Sequence, residues 1–426
     1  MRTVELDPAE GMAVSAASRD SEPGAAVSDA ERMRPIRPKV VRRSDRRWLS
    51  PVALLVALVA VAGGLGYAED WFGGGGHSGH SSCPSGQLLQ GNGAQVLNPI
   101  AVLWSHQFGS STGDSVNYVD GGSGTGITDL TDRTIDFAAT DDPLTAAEAA
   151  NLPSPAVTLP VVAGAIVVID NLPGISGHLH LSGAVLAGIY LGSITHWNDP
   201  AIAANNTGVS LPNAAILTAH RSDPAGTTYV LTDYLSRSSS AWRTGPGEGI
   251  SVAFPTLSGS EGIHGNSALL TYVSTTTDSI GYSDLTDLLA SSTPPGYAAM
   301  ANPAGQFIVP SVTSTRSAID DAAAAITFPP STGSWYNVSL VDAPGSSDYP
   351  LATLMYAFVY TATDHGFSPS SAKSEVLVGW FHWILTQGQS DAMANDYVPL
   401  PASLVSVDES GLSAMTFNGA AIPICS

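Results

Sequence analysis

The chain has 426 residues, of which only 12 % are charged, yet its formal net charge is −21. Ten of its 16 Lys/Arg and eight of its 37 Asp/Glu precede residue 51, so the remainder carries six basic against 29 acidic residues. A surface this acidic excludes nucleic-acid binding, whose affinity comes from basic side chains on phosphates. It also cannot steer a small anion from a distance.

In chain order, residues 1–47 mix charges with Pro, Ala and Ser and read as a disordered cytoplasmic tail. Residues 48–68 read as a transmembrane anchor. Within them, 49–67 hold 19 residues without a charge, about 28 Å as a helix and enough to span a bilayer. Arg42, Arg43, Arg46 and Arg47 precede the span, which puts the tail inside and the rest outside. The alternative is a secretory signal cut after Gly66-Tyr67-Ala68. Residues 69–86 form a Gly/Ser-rich linker. Its His77, His80 and Cys83 read as part of a spacer rather than a metal site. Cys83 and Cys425 are the two cysteines, open to a disulfide or to two thiols.

Beyond the linker, β-branched runs alternate with helical patterns, and the length predicts two lobes. Strands are expected at 115–119, 135–138, 159–169, 215–218, 279–282, 307–309 and 354–360. Helices are expected at 126–130, 146–150, 183–191, 227–236, 267–273, 317–325 and 371–387. The run 159–169 is almost wholly apolar, which suits either a fully buried strand or one crossing between lobes.

Three stretches carry chemistry. Asp120-Gly121-Gly122-Ser123-Gly124-Thr125-Gly126 joins a strand to a helix. Its glycines free the backbone, and the N–H groups and hydroxyls at the helix start suit an anion. His220-Arg221-Ser222-Asp223-Pro224-Ala225-Gly226-Thr227 sets a guanidinium fork beside a second helix start. A plain Arg221–Asp223 salt bridge is the competing reading. Between them, Asp136-Phe137-Ala138-Ala139-Thr140-Asp141-Asp142-Pro143 ends a strand on two acids. No Gly-x-Ser-x-Gly elbow, His-Glu-x-x-His motif or Cys/His pair is evident, so no enzyme is expected.

Taken together, these stretches resemble the phosphate-binding proteins of phosphate ABC transporters, the PstS type. The resemblance runs from Gly91-Asn92-Gly93-Ala94 through Ile135-Asp136-Phe137 to Asp348-Tyr349-Pro350-Leu351. Its most specific tract is Ile189-Tyr190-Leu191-Gly192-Ser193-Ile194-Thr195-His196-Trp197-Asn198-Asp199-Pro200. It implies an α/β fold, a two-lobed periplasmic-binding-protein (type II) clamshell with hinge strands. Lobe 1 would take residues 87–164 and 279–426, and lobe 2 residues 165–278. The hinge strands would be 159–169 and 279–282. Inorganic phosphate would be bound by Gln95, Val96, Ser123, Asp141, Arg221, Ala225, Gly226 and Thr227, without metal or cofactor. The protein would be a monomer on the cell membrane, single-pass, its extracytoplasmic domain serving ABC transporter permease subunits. Gln95 and Ala225 stand where the family usually has hydroxyl residues. That leaves open a sensor or binding protein of the same fold with altered oxyanion specificity or lost high-affinity binding.

Overall fold

The computed structural model describes residues 83–424. The tail, the apolar span, most of the linker and Cys425 lie outside the described residues, and with them the choice between a Cys83–Cys425 disulfide and two thiols. Among the described residues, no helix is long and apolar enough to cross a membrane.

The elements that place the site are few. Strand β1 (Leu88–Gly93) leads into helix α1 (Asn98–Thr112), β2 (Ser115–Val119) into α2 (Ser123–Thr131), and β3 (Phe137–Thr140) into β4 (Ala156–Asp170) after a short helix. Strand β5 (Leu217–Arg221) leads into α3 (Gly226–Ser238), β6 (Glu261–Ile263) into α4 (Asn266–Thr275), and β7 (Ser279–Asp284) follows. Strand β8 (Ala352–Tyr360) and helix α5 (Ser371–Trp383) come last. The main sheet runs in the order β2-β1-β3-β8-β4-β7-β5-β6.

β4 unites the molecule. All its residues after Ala156 are buried, which explains an apolar run without alternation. Its first part pairs with β8 and its last five residues pair with β7, both antiparallel. Two hydrophobic cores meet along it: Val161 to Ala163 belong to one, Ala165 to Ile169 to the other. Gly164 marks the crossing, where an added Cβ would come within 2.6 Å of the Met355 side chain. Pro160 has no N–H to donate, and the ladder with β8 slips beside it, between Met355 and Tyr356. The carbonyl of Val161 is taken instead by Gln389 Nε2 at 2.8 Å.

The return crossing differs from expectation. Residues 279–282 are expected as the second hinge strand and as the resumption of lobe 1. Instead Ile280, Tyr282, Leu285 and Met300 pack in the second core. The chain is back in the first core by Ala318 and Ile319, touches the second again at Tyr349 and Leu351, and makes its last crossing where β8 begins, at Ala352 of the first core. The physical reason is pairing: β7 is hydrogen-bonded to the far end of β4 and to β5, both inside lobe 2.

Lys373 on α5 ties the edge of the first lobe together. Its Nζ lies 2.8 Å from Asp136 Oδ1, and Asp136 Oδ2 accepts the Gln90 N–H at 2.7 Å. Burial pushes the Asp136 carboxyl up, and Lys373 and the Gln90 N–H oppose that rise. Lys373→Met therefore leaves an unanswered buried charge and should cost about 3 kcal/mol in chemical denaturation. Adding Asp136→Asn should recover most of the loss; no recovery would show that Lys373 acts through packing alone.

Candidate functional site

The site forms where strand ends from both lobes meet. In the first lobe, β2 gives way to Gly122, whose φ of +94° is a conformation that glycine reaches freely. Its N–H donates to the Gly93 carbonyl at 2.8 Å, and the Gly121 N–H to Asn92 Oδ1 at 3.0 Å. This fixes Ser123, the first residue of α2, in a buried position. Ser123 Oγ donates to Asp141 Oδ1 at 3.0 Å. Asp141 follows β3 directly and is only 2 % exposed. Its carbonyl accepts from Thr353 Oγ1 at 3.0 Å. Asp141 Oδ2 is buried and has no hydrogen-bond partner.

In the second lobe, β5 ends on Arg221, 5 % exposed. Its Nε donates to Asp223 Oδ1 at 2.8 Å, and its Nη2 pairs closely with Asp223 Oδ2. Nη1 donates to Asn266 Oδ1 and, at 3.3 Å, to Thr227 Oγ1. The backbone N–H of Arg221 donates to Tyr282 Oη at 2.9 Å, and that phenol shares a 2.8 Å hydrogen bond with Thr228. The Gly226 N–H, at the start of α3, reaches across the lobes to Ser123 Oγ at 3.2 Å. A Cβ on Gly226 would overlap Asp141 Oδ1, so only glycine permits this approach.

Thus Ser123, Asp141 and Gly226 converge directly. Arg221 and Thr227 stand together on the second-lobe side. Three expected ligands are differently engaged. The Ala225 N–H, expected as a donor to the anion, is taken by the Ile250 carbonyl at 2.9 Å. Val96 has its side chain in the first core, and its carbonyl accepts Tyr397 Oη at 2.6 Å. Gln95 directs Oε1 to the Asn266 N–H at 2.8 Å. The Arg221–Asp223 salt bridge is present, and Nη1 lies outside it, turned to Asn266 and Thr227.

Sequence reasoning missed Asn266 and Asp284. Asn266 Nδ2 donates to Asp284 Oδ2 at 2.9 Å, which fixes Asn266 Oδ1 toward Arg221. The signal was the Gly265-Asn266-Ser267 helix start, an ordinary cap pattern with nothing to single it out.

The charges are unequal in kind. Burial pushes the Asp141 carboxyl up to about 6, against the opposing pull of the Ser123 hydroxyl and Arg221. Asp142 beside it is driven well above the carboxylate range by burial and by the charge of Asp141. Burial also pushes Asp223 up, but the Arg221 hydrogen bonds and charge outweigh it and hold that carboxyl below its usual value. Near neutral pH the candidate site therefore combines an ionised acceptor, a guanidinium, the Ser123 hydroxyl and the Gly226 N–H. Among the described residues, no group of three His, Cys, Asp or Glu is placed to hold a metal ion.

The family profile for the PBP superfamily domain matches residues 75–386. The phosphate-binding protein PstS of Pasteurella multocida is 37 % identical over 320 residues, covering 75 % of this chain and 88 % of that protein. The PstS of Xylella fastidiosa is 35 % identical over 318 residues, covering 74 % and 82 %. Among solved structures, a human phosphate binding apolipoprotein superposes with a TM-score of 0.60 at 17 % identity, covering 79 % of this chain and all of that one. The chain belongs to the PBP superfamily and, within it, to the PstS family of phosphate-binding proteins.

The Asp141 carboxyl holds its proton more tightly in the fold than in the unfolded chain. Its burial therefore lowers stability above about pH 6 and not below the unfolded value near 3.8. One pKa unit corresponds to about 1.4 kcal/mol. Asp141→Asn is thus expected to stabilise the ligand-free protein by about 1–3 kcal/mol at pH 8, the gain vanishing near pH 4. Thermal melts at the two pH values check this. A variant destabilised equally at both would mean that an amide cannot replace the carboxylate contacts.

Proposed function

We propose that the protein captures inorganic phosphate outside the cytoplasm, between its two lobes, and delivers it to the permease subunits of an ABC importer without chemical change. The observation that carries this reading is Asp141: a buried carboxylate, ionised near neutral pH, with Oδ2 unanswered by any protein donor. A carboxylate only accepts hydrogen bonds. Phosphate retains at least one proton at neutral pH and can supply the missing donor. Sulfate retains none, and its lone pairs would face a buried negative charge. Ser123, Gly226, Thr227 and the Arg221 Nη1 fork are the donors for the remaining oxygens. The names of the relatives support the ligand, and the agreement of the fold supports the clamshell.

The finer assignments rest on sequence. The N-terminal span is the membrane tether, Cys83 pairs with Cys425, and the protein works as a monomer. A second reading, the same fold with weaker or altered oxyanion binding, is favoured by Gln95 and the Ala225 N–H, both committed to other partners.

Titration calorimetry of the detergent-solubilised full chain tests the proposal. Phosphate should bind and sulfate should not compete at pH 8; absence of phosphate binding at millimolar concentration would overturn it. Because Asp141 becomes a donor once protonated, discrimination against sulfate should shrink as pH falls through about 6. Asp141→Asn should abolish that pH dependence. Arg221→Ala should weaken phosphate binding at least about tenfold by removing a charge-assisted donor; unchanged affinity would remove Arg221 from the site.

A further inference from the structure

Gln95 lies on a 3₁₀ turn between β1 and α1, in the first lobe. Asn266 opens α4, which packs into the second core through Leu269, Leu270 and Val273. The two are 171 residues apart in sequence, yet Gln95 Oε1 accepts the Asn266 N–H at 2.8 Å. This is a hydrogen bond between lobes, made by a side chain whose oxygen lies two atoms further out than a serine hydroxyl.

The acceptor meets a prepared donor. The first N–H groups of a helix have no partner within it and carry its positive end. Here two consecutive ones are satisfied from different lobes: the Gly265 N–H by Asp223 Oδ1 at 3.1 Å, the Asn266 N–H by Gln95. Gly265 has φ +90°, and a Cβ there would lie 3.4 Å from Gln95 Nε2 and 3.5 Å from Oε1, so the glycine leaves the carboxamide its space. The Asn266 side chain in turn accepts from Arg221 Nη1 and Thr227 Oγ1. Gln95 is therefore wired, through one residue, to the second-lobe groups that face the anion.

We propose that Gln95 is a latch across the cleft: its carbonyl oxygen holds α4 of the second lobe against the first, and so sets how long the closed form and its captured anion persist. This assigns Gln95 a positioning role, in place of the direct anion contact expected from its place in the chain. The part concerning the anion rests on the phosphate reading above; the part concerning closure does not.

The test separates the two. In the full chain, spin labels at the exposed positions Val102 and Leu289, one on each lobe, report the closed fraction without phosphate. Gln95→Met keeps length and loses the acceptor; Gln95→Glu keeps an acceptor for the same N–H. The Met variant should lower the closed-to-open ratio by roughly 2- to 10-fold, the worth of one hydrogen bond. Phosphate dissociation should speed up by the same factor, with association unchanged. The Glu variant should stay closed. Distance distributions identical in parent and Met variant would overturn the latch, as would a Glu variant that opens as far as Met does. If the parent binds no phosphate, the functional proposal fails while the ligand-free distances still decide the latch.

Discussion

A carboxylate buried with one oxygen unanswered is the constraint around which this molecule is built. Removing a charged group from water is costly unless other groups take over the work of solvent. For Asp141 the fold supplies one hydroxyl, from Ser123, a backbone N–H and the field of one guanidinium, and these do not offset its burial. The neighbours follow from that choice. Gly226 must lack a side chain because its helix start comes against the Asp141 oxygen. Asp142 is pushed toward its neutral form by its own burial and then by the neighbouring Asp141 charge. A stability deficit held at a strand end is what a bound ligand would relieve.

The same constraint reconciles anion capture with an acidic protein. The chain beyond residue 50 has six cationic side chains, and the one in the site is already bridged to Asp223. Attraction is therefore local and directional. The candidate donors, the Gly226 N–H, the Ser123 hydroxyl and a guanidinium of fixed geometry, would act over hydrogen-bond distances, where the low-dielectric interior makes them strong.

Much of this is legible without coordinates. The unbroken apolar run around Leu159 to Ile169 has two readings, buried strand or inter-lobe strand, and β4 is both. The two glycine-bearing turns stand out because backbone freedom and hydroxyls before a helix have few other uses. What escapes is pairing. Nothing in the composition of 279–282 tells which strand it will lie beside, and its partner, the far end of β4, decides its lobe. Strand β1 and the short β6 go unseen, because Gly91, Gly93 and Gly262 dilute the apolar pattern. Likewise Ala225, Val96 and Gln95 do fall near the site, but which partner each backbone or amide group takes is a question of tertiary distance. Asn266 carries no local mark at all.

One detail of the hinge has a mechanical meaning. Two strands that pass between the cores are neighbours: Gly164, where β4 crosses, is the register partner of Thr353, one residue past the last crossing, at Ala352. Thr353 also holds the Asp141 backbone through its hydroxyl. The Asp141 backbone is thus tied to the crossing strands, where a body hinged there would move least. If the jaws open about these strands, the phosphate reading makes this the group that an incoming ion would meet in the same place in either state.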